Sequence, residues 1–232
     1  MQTDEIKNKY RYELKYVCTD LQLMQIEERV RALLEKDSHA GNKGYYSIRS
    51  LYFDDYYDSC FWDKENGTDN RKKFRIRMYD VKTSHLSLEI KTKRNNKIMK
   101  EREIISLDEY HNLIDTESGL PIKKECPVQN QLHLLKAMDA YRPVVIVEYD
   151  RIPYIGTEGN VRVTFDKNIR SSSEVNRFLE KDIPMRGIMP DGNHLLEVKF
   201  DEFLPDYIYR GLNLENMIHT SFSKYYLCRK FI

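Results

Sequence analysis

The chain has 232 residues, 41% hydrophobic and 32% charged, and its 17 Tyr and 9 Phe exclude a disordered polyelectrolyte. Its formal net charge of +1 gives no general indication of nucleic-acid binding, so any electrostatic function depends on how the charges are sorted. No Pro-, Gly- or Ser-rich linker divides the chain, and we therefore expect a single domain over residues 1–232.

The cysteines and the apolar segments bear on the cellular compartment. The four cysteines are widely spaced without a CxxC pair, which predicts reduced thiols. The N-terminal stretch up to Tyr16 has no apolar core, which predicts no signal peptide. No apolar run approaches the roughly 18 residues of a membrane-spanning helix. We therefore expect a cytoplasmic protein without a transmembrane segment.

The first half of the chain predicts a strand, a helix and then four more strands. The strands are predicted at 10–18, 45–55, 71–79, 85–94 and 96–106. Thr19 and Gln22 have capping-box spacing at the start of the helix. The apolar face of this helix comprises Leu23, Ile26, Val30, Leu33 and Leu34.

The second half predicts two helices, three strands and a helical tail. Ser106 and Glu109 have capping-box spacing at the start of the first helix, and a second helical stretch lies between Pro127 and Pro143. The remaining predictions are strands at 143–155, 160–169 and 194–200 and a helical tail at 203–231. Antiparallel strands dominate this order, so the predicted fold class is α+β.

Basic residues alternate with apolar residues along most of the predicted strands. In RKKFRIRMY (71–79), Phe74 and Ile76 point to one side while Arg75 and Arg77 point to the other. An ordinary antiparallel sheet with one face in water explains one such strand. It does not explain the same excess of Arg and Lys on most of the strands, while the acidic residues lie largely in helices and loops.

A closed antiparallel barrel explains the sorting, with charged faces lining a tunnel and apolar faces binding helices outside. Cations in such a lumen need water and a polyanion, because isolated buried charges are costly. Phosphate chains fit, since Arg and Lys both bind phosphate oxygens. The inward carboxylates Glu13 and Glu197 then suit a divalent metal that bridges phosphates.

Several fragments occur in an order that resembles a known family. They are YELKY, SLYFDD, RIRMY, LEIKTK with MKERE, YDRIPY with VRVTFD, LLEVKF and SFSKYY. Together they resemble the VTC-type polyphosphate polymerase domain, a branch of the triphosphate tunnel metalloenzyme (CYTH-like) superfamily. The resemblance runs from Arg11 to about Tyr226. It implies a closed tunnel of about eight antiparallel strands with helices packed outside.

The resemblance also implies an activity and a set of site residues. The family transfers the γ-phosphate of ATP to a growing polyphosphate chain and releases ADP, with Mn²⁺ or Mg²⁺ as cofactor. The implied catalytic cations are Arg75, Arg77, Lys91, Arg151 and Arg162. The implied phosphate-binding residues are Lys15, Lys100, Arg102, Lys199 and Lys224. The implied metal ligands are Glu197 and Glu13. The superfamily signature Glu-x-Glu-x-Lys begins here with Arg11, so metal ligation rests more on Glu197.

The residues leave other functions open. The same tunnel could hydrolyse tripolyphosphate or a nucleoside triphosphate, or could bind polyphosphate without catalysis. RNA binding is disfavoured because most aromatic residues lie on the face opposite Arg and Lys, so no nucleic-acid partner is expected. The expected ligands are ATP or another triphosphate and polyphosphate. The sequence leaves a membrane-protein partner undetermined.

Overall fold

A computed structural model describes residues 10–95, 97–115 and 125–231, and its main element is one antiparallel sheet of ten strands. The strands are β1 (Tyr12–Thr19), β2 (Glu35–Lys36), β3 (Tyr46–Asp54), β4 (Arg71–Tyr79), β5 (Leu86–Arg94), β6 (Lys97–Ile105), β7 (Arg142–Gly156), β8 (Val161–Ser172), β9 (Arg186–Gly187) and β10 (Asn193–Phe200). The helices are α1 (Asp20–Leu33), α2 (Ser59–Glu65), α3 (Leu107–Ile114), α4 (Pro127–Asp139), α5 (Asp206–Gly211) and α6 (Lys224–Lys230).

Most of the predicted elements are confirmed. The strand predicted at 71–79 is β4, and capping boxes form at Thr19 and Ser106. The strand predicted at 96–106 is β6, although Asn96 lies outside the described residues. The helical tail is confirmed only in part, because residues 217–223 between α5 and α6 are not helical.

The sheet is curled but open, which corrects the prediction of a closed barrel. Its strand order is β1-β10-β8-β7-β3-β4-β5-β6, with β2 paired to β7 and β9 paired to β8. The edge strands β1 and β6 meet at one bridge, where Arg11 and Ile98 exchange two backbone hydrogen bonds of 2.9 Å. The C-terminal segment occupies the next part of the β1 edge, because the Thr220 amide donates to the Lys15 carbonyl at 2.8 Å. The result is a half-barrel with a seam between β1 and β6.

The convex face of the sheet carries two of the three buried hydrophobic clusters in the described part of the chain, on the apolar sides of the strands that the sequence predicted. Phe74, Ile76 and Met78 of β4 are completely buried in a cluster that includes Leu113 of α3 and Leu132 of α4. Burying a large apolar side chain contributes roughly 1.5–3 kcal/mol. Helices α3 and α4 therefore cover the outer face of the sheet. Helix α6 instead packs against the concave face, where its Tyr225 and Cys228 join a buried cluster of residues from β3 and β7, which corrects the prediction that the helices pack outside. The charged residues occupy the rest of the concave face.

Helix α1 covers the other end of the same convex face. Leu23, Ile26, Val30 and Leu34 pack against strands of the sheet, whereas Leu33 remains 36% exposed at the end of the helix. No helix within the described ranges is both long and apolar enough to cross a membrane.

Candidate anion-binding site

The strand register gathers charged side chains on the concave face. Lys15 is paired with Glu197, and Glu13 is paired with Lys199 across β1 and β10. Lys199 is also paired with Arg162 across β10 and β8. Paired residues in antiparallel strands point to the same side of the sheet, so these pairs form one continuous charged surface.

Two buried carboxylates, Glu13 and Glu197, lie at the centre of this surface. Lys91 Nζ donates to both oxygens of Glu13 at 3.0 and 3.1 Å. Lys15 Nζ lies 2.7 Å from Glu13 and 3.9 Å from Glu197, and Lys199 Nζ lies 3.1 Å from Glu197 and 3.8 Å from Glu13. Burial and Glu197 raise the pKa of Glu13, but the three lysines outweigh them and lower it to about 2. The amino group of Lys15 and the amino group of Lys199 thus each lie between the ionised carboxylates of Glu13 and Glu197.

A second cluster forms around Asp166, which the sequence analysis did not identify. Arg151 donates to both Asp166 oxygens at 2.6 and 2.7 Å and to Glu197 at 3.2 Å. Lys224 Nζ donates to Asp166 Oδ2 at 2.5 Å. Burial raises the pKa of Asp166, but Arg151 and Lys224 lower it further than burial raises it. The alternation of VRVTFD places Asp166 on the same face as Arg162, and this pattern could have predicted Asp166 as a residue of the site.

A third cluster surrounds Glu89, which is completely buried. Arg75 donates to Glu89 Oε2 at 2.8 and 2.6 Å, and Lys100 donates to Glu89 Oε1 at 3.2 Å. Arg77 Nη1 lies 3.7 Å from the same carboxylate, and Arg75 also donates to the Tyr52 hydroxyl at 2.9 Å. Glu89 therefore holds three cations in place on adjacent strands.

The concave face encloses three adjoining cavities, which we name by their residues. The central chamber, of about 90 Å³, is lined by Arg75, Arg151, Glu197 and Lys224 among others. It shares Lys15, Lys73 and Lys91 with a cavity of about 450 Å³, the Lys64 chamber. On its other side it shares Arg75, Arg151 and Lys199 with a cavity of about 440 Å³, the Arg162 chamber. The shared walls indicate a passage that is narrow in the middle and wide at both ends.

Most of the predicted site residues meet in this passage. Those that line the central chamber are Lys15, Arg75, Arg77, Lys91, Arg151, Glu197, Lys199 and Lys224. Glu13 lines both wide chambers, and Lys100 and Arg162 line the Arg162 chamber. Arg162 donates to Asp37 at 2.7 Å and to the Tyr46 hydroxyl at 3.1 Å. Arg102 is exposed and lines none of the three chambers, although its register partner is Glu89.

Lys73 is a further residue of the passage that the sequence analysis did not select. Its Nζ donates to Ser223 Oγ at 3.3 Å and lies 4.4 Å from the centre of the Tyr225 ring. Burial, together with repulsion from Arg71 and Lys91, lowers the pKa of Lys73 to about 7. The fold thus places an amino group where its charged form is disfavoured.

This pKa predicts that the free protein becomes more stable between about pH 7 and 8.5. In this range Lys73 loses its proton in the folded state, while the unfolded chain, with a lysine pKa of roughly 10.4, keeps it. The unfolded state then binds more protons, so the free energy of unfolding rises with pH. Thermal denaturation midpoints of the wild type and Lys73→Met check this. We expect a smaller rise in the variant, and equal rises would contradict the assignment.

Solved structures share this fold at low sequence identity. Protein PH1819 from Pyrococcus horikoshii OT3 is 17% identical, with a TM-score of 0.51 over 96% of this chain and 100% of its own. The putative adenylyl cyclase HpAC1 from Hippeastrum, described as having a dominant triphosphatase activity, is 11% identical, with a TM-score of 0.53 over 96% of both chains. A putative adenylate cyclase from Bacillus halodurans is 13% identical, with a TM-score of 0.50 over 89% of both chains. No curated protein matches the sequence.

These likenesses show that the chain shares its fold with these solved structures. The model of the VTC domain family matches residues 10–232. The chain therefore belongs to the VTC domain family, as its motifs indicated.

Proposed function

We propose that the protein transfers the γ-phosphate of ATP to the end of a polyphosphate chain within the central chamber. The observation that carries this proposal is a narrow cationic chamber that opens at both ends into wider basic cavities. Phosphoryl transfer requires the attacking and leaving oxygens to lie roughly in line, which suits two phosphate chains that enter from opposite ends. Water alone as acceptor would not need the second opening.

The cations of the passage act by neutralising and positioning phosphate. Arg75, Arg77, Lys91, Arg151 and Arg162 bind the triphosphate. The guanidinium groups match phosphate oxygens in bidentate contacts, and the ammonium group of the lysine binds them as a point charge. Lys15, Lys100, Lys199 and Lys224 guide the acceptor chain or the product, with Arg102 at the exposed edge of the basic face. The carboxylates described above hold these cations in position before phosphate binds, so the cations need to move little during the reaction. The attacking terminal phosphate is already an anion and requires no general base.

The carboxylates fit a divalent cation that is held jointly with phosphate. In the described part of the chain, no group of three or more His, Cys, Asp or Glu side chains is placed to hold a metal. Mg²⁺ commonly binds one or two carboxylates and completes its shell with water and substrate phosphates. Glu197 and Glu13 are ionised oxygen donors of this kind, so they would hold Mg²⁺ or Mn²⁺, which would neutralise charge on the bridging phosphates.

Hydrolysis of tripolyphosphate or nucleoside triphosphate is the second candidate. The same fold occurs in HpAC1, which is described as a triphosphatase. Water would replace the polyphosphate end as acceptor, and the cations would keep their roles. A third alternative is a binding module that holds polyphosphate without turnover.

The test is incubation with ATP and Mn²⁺, with and without a short polyphosphate primer, while ADP, free phosphate and polymer are measured together. We expect polymer with stoichiometric ADP, and a loss on the order of 10²-fold in Arg75→Ala, because one charge-stabilising group is removed. Arg94→Ala, an exposed residue on the opposite face of β5, is the matched control. Free phosphate without polymer would identify a hydrolase. Tight tripolyphosphate binding without turnover would identify a binding module.

A further inference from the structure

Lys73 and Ser223 form a side-chain pair that the phosphoryl transfer proposed above does not use. Lys73 Nζ lies 3.3 Å from Ser223 Oγ, within hydrogen-bond distance. Both residues line the central chamber and the Lys64 chamber, so the pair lies where the two cavities adjoin. The Ser223 hydroxyl is therefore beside the path of any phosphate chain in the passage.

The cations around Lys73 favour its neutral amine. Within the described residues, no carboxylate forms a salt bridge with Lys73. Lys91 stands opposite it on β5, and Arg71 lies two residues before it on β4. Burial, together with repulsion from Arg71, Lys91 and Lys15 of β1, lowers the pKa of Lys73 to about 7.

The groups of α2 and α6 beside Lys73 do not restore its charge. A thiolate at Cys60 would favour the ammonium form, but burial raises the pKa of the Cys60 thiol to about 12 and keeps it neutral. The centre of the Tyr225 ring lies 4.4 Å from Lys73 Nζ, and burial also raises the pKa of the Tyr225 phenol. A large fraction of Lys73 is thus free amine at neutral pH, and a free amine can accept a proton.

A hydroxyl within reach of a neutral amine has the arrangement of a nucleophile and its general base. Ser–Lys pairs act in this way on unrelated folds. The terminal phosphate of a polyphosphate chain is already an anion, whereas a serine hydroxyl must lose a proton as it attacks. Arg75 and Arg151, which are assigned to the triphosphate, line the same central chamber as Ser223. The chamber thus holds a nucleophile, a base and the cations that bind the phosphoryl donor.

We propose that Ser223 is a phosphoryl acceptor and that Lys73 is its general base. Ser223 Oγ attacks the γ-phosphorus of ATP, so that an Oγ–P bond forms and the bond from this phosphorus to the β–γ bridging oxygen breaks. The electron pair of the broken bond leaves with ADP, and the hydroxyl proton moves to Lys73 Nζ. The products are phosphoserine, ADP and the ammonium form of Lys73.

Phosphoserine at this position gives the protein its own first acceptor. Its phosphate lies among Lys15, Lys73 and Lys91, which line both chambers and repel one another, and an anion there relieves that repulsion. The phosphate is an anion with a free end, so it accepts the next phosphoryl group and starts a chain when no primer is present. The inference rests on the proposed function for ATP as the donor.

The experiment mixes the protein with ATP and Mn²⁺ without primer, stops the reaction with acid during the first turnovers and measures the mass of the intact chain. We expect an added phosphate group, which peptide mass spectrometry places on Ser223. Ser223→Asn is expected to take up none. Its amide oxygen can still accept the hydrogen bond that the Tyr226 amide donates to the Ser223 side chain at 3.4 Å, so α6 keeps its cap.

Ser221→Ala is the matched control and is expected to be phosphorylated as the wild type is. Ser221 lines the Lys64 chamber but not the central chamber, and its Oγ accepts from Lys64 instead of Lys73. Loss of the added phosphate in this control would overturn the assignment of Ser223.

Lys73→Met is expected to slow phosphoserine formation by on the order of 10²-fold, because general-base catalysis is lost. In the wild type the rate is expected to rise with pH as the Lys73 amine loses its proton. The apparent pKa of this rise lies above the value of about 7 in the free protein, since bound ATP carries negative charge that raises the pKa of Lys73. The variant is expected to lack the rise. A wild-type rate and pH profile in Lys73→Met would overturn the assignment of the base.

The outcomes separate this inference from polymer synthesis. Protein that stays unmodified overturns the inference, whether or not an added primer is extended, and extension of that primer tests the proposed function separately. Phosphoserine at Ser223 without polymer supports the inference and contradicts the synthesis of polyphosphate. Equal phosphate uptake by Ser223→Asn overturns the inference.

Discussion

Glu197→Gln is expected to lower phosphoryl transfer by on the order of 10²–10³-fold while metal-free binding of tripolyphosphate stays the same or tightens. The amide cannot hold a divalent cation as the carboxylate does. Removing the negative charge also releases Lys15, Lys199 and Arg151 from a carboxylate that lies between 3.1 and 3.9 Å from each. These cations then interact more strongly with phosphate. Loss of activity with retained binding is the expected combination.

The measurement pairs ADP release from ATP in Mn²⁺ with calorimetric binding of tripolyphosphate in chelator. Glu101→Gln is the control, because Glu101 lies on β6 and points away from the concave face. A Glu197→Gln protein that retains full activity would exclude Glu197 as a metal ligand. Parallel loss of activity and binding, with an unchanged melting temperature, would assign Glu197 to the positioning of cations.

Arg151→Ala is expected to lower the free energy of unfolding by about 3–5 kcal/mol, because it leaves buried charge without its partner. Arg151 forms two hydrogen bonds with Asp166, which is completely buried, and one with Glu197. Lys224 remains beside Asp166 after the substitution but cannot replace the paired guanidinium contacts. Urea denaturation gives the free energy directly.

Two further variants test the cause of this destabilisation. Asp166→Asn in the Arg151→Ala background is expected to recover part of the loss, since it removes the uncompensated carboxylate. Arg170→Ala is the control, because Arg170 is paired with Glu148 but its side chain is 44% exposed. We expect its cost to be below about 1 kcal/mol. A double variant less stable than Arg151→Ala would contradict the charge argument.

Strands with one apolar face and one basic face could be predicted from the sequence, because the alternation of side chains along a strand is a local property. Phe74 and Arg75 are neighbours whose side chains must point to opposite faces of β4. The inner position of most basic residues followed directly from this alternation. Asp166 and Lys73 also alternate correctly, but their importance depends on cross-strand neighbours. Asp166 matters because Arg151 stands opposite it, and that register is not visible in a single strand.

The open seam and the C-terminal segment could not be predicted by the same reasoning. Whether β1 pairs with β6 depends on which segment reaches its free edge. His219 and Thr220 take part of that edge, although about 200 residues separate them from β1. Local periodicity in the tail indicates helix and does not report this pairing. Competition between distant segments therefore decided the closure of the sheet.

The half-open sheet also bears on association between copies of the protein. An unpaired strand edge is a template for association with another sheet, and charged side chains are a common protection against it. Strand β6 carries five charged residues among its nine, KIMKEREII, and its described residues pair across the seam at Ile98 alone. This strand edge is thus protected from pairing with another sheet by five charged residues: Lys97, Lys100, Glu101, Arg102 and Glu103. Two of these residues, Lys100 and Arg102, also lie on the basic concave face. Charges that favour anion binding therefore also discourage edge-to-edge aggregation.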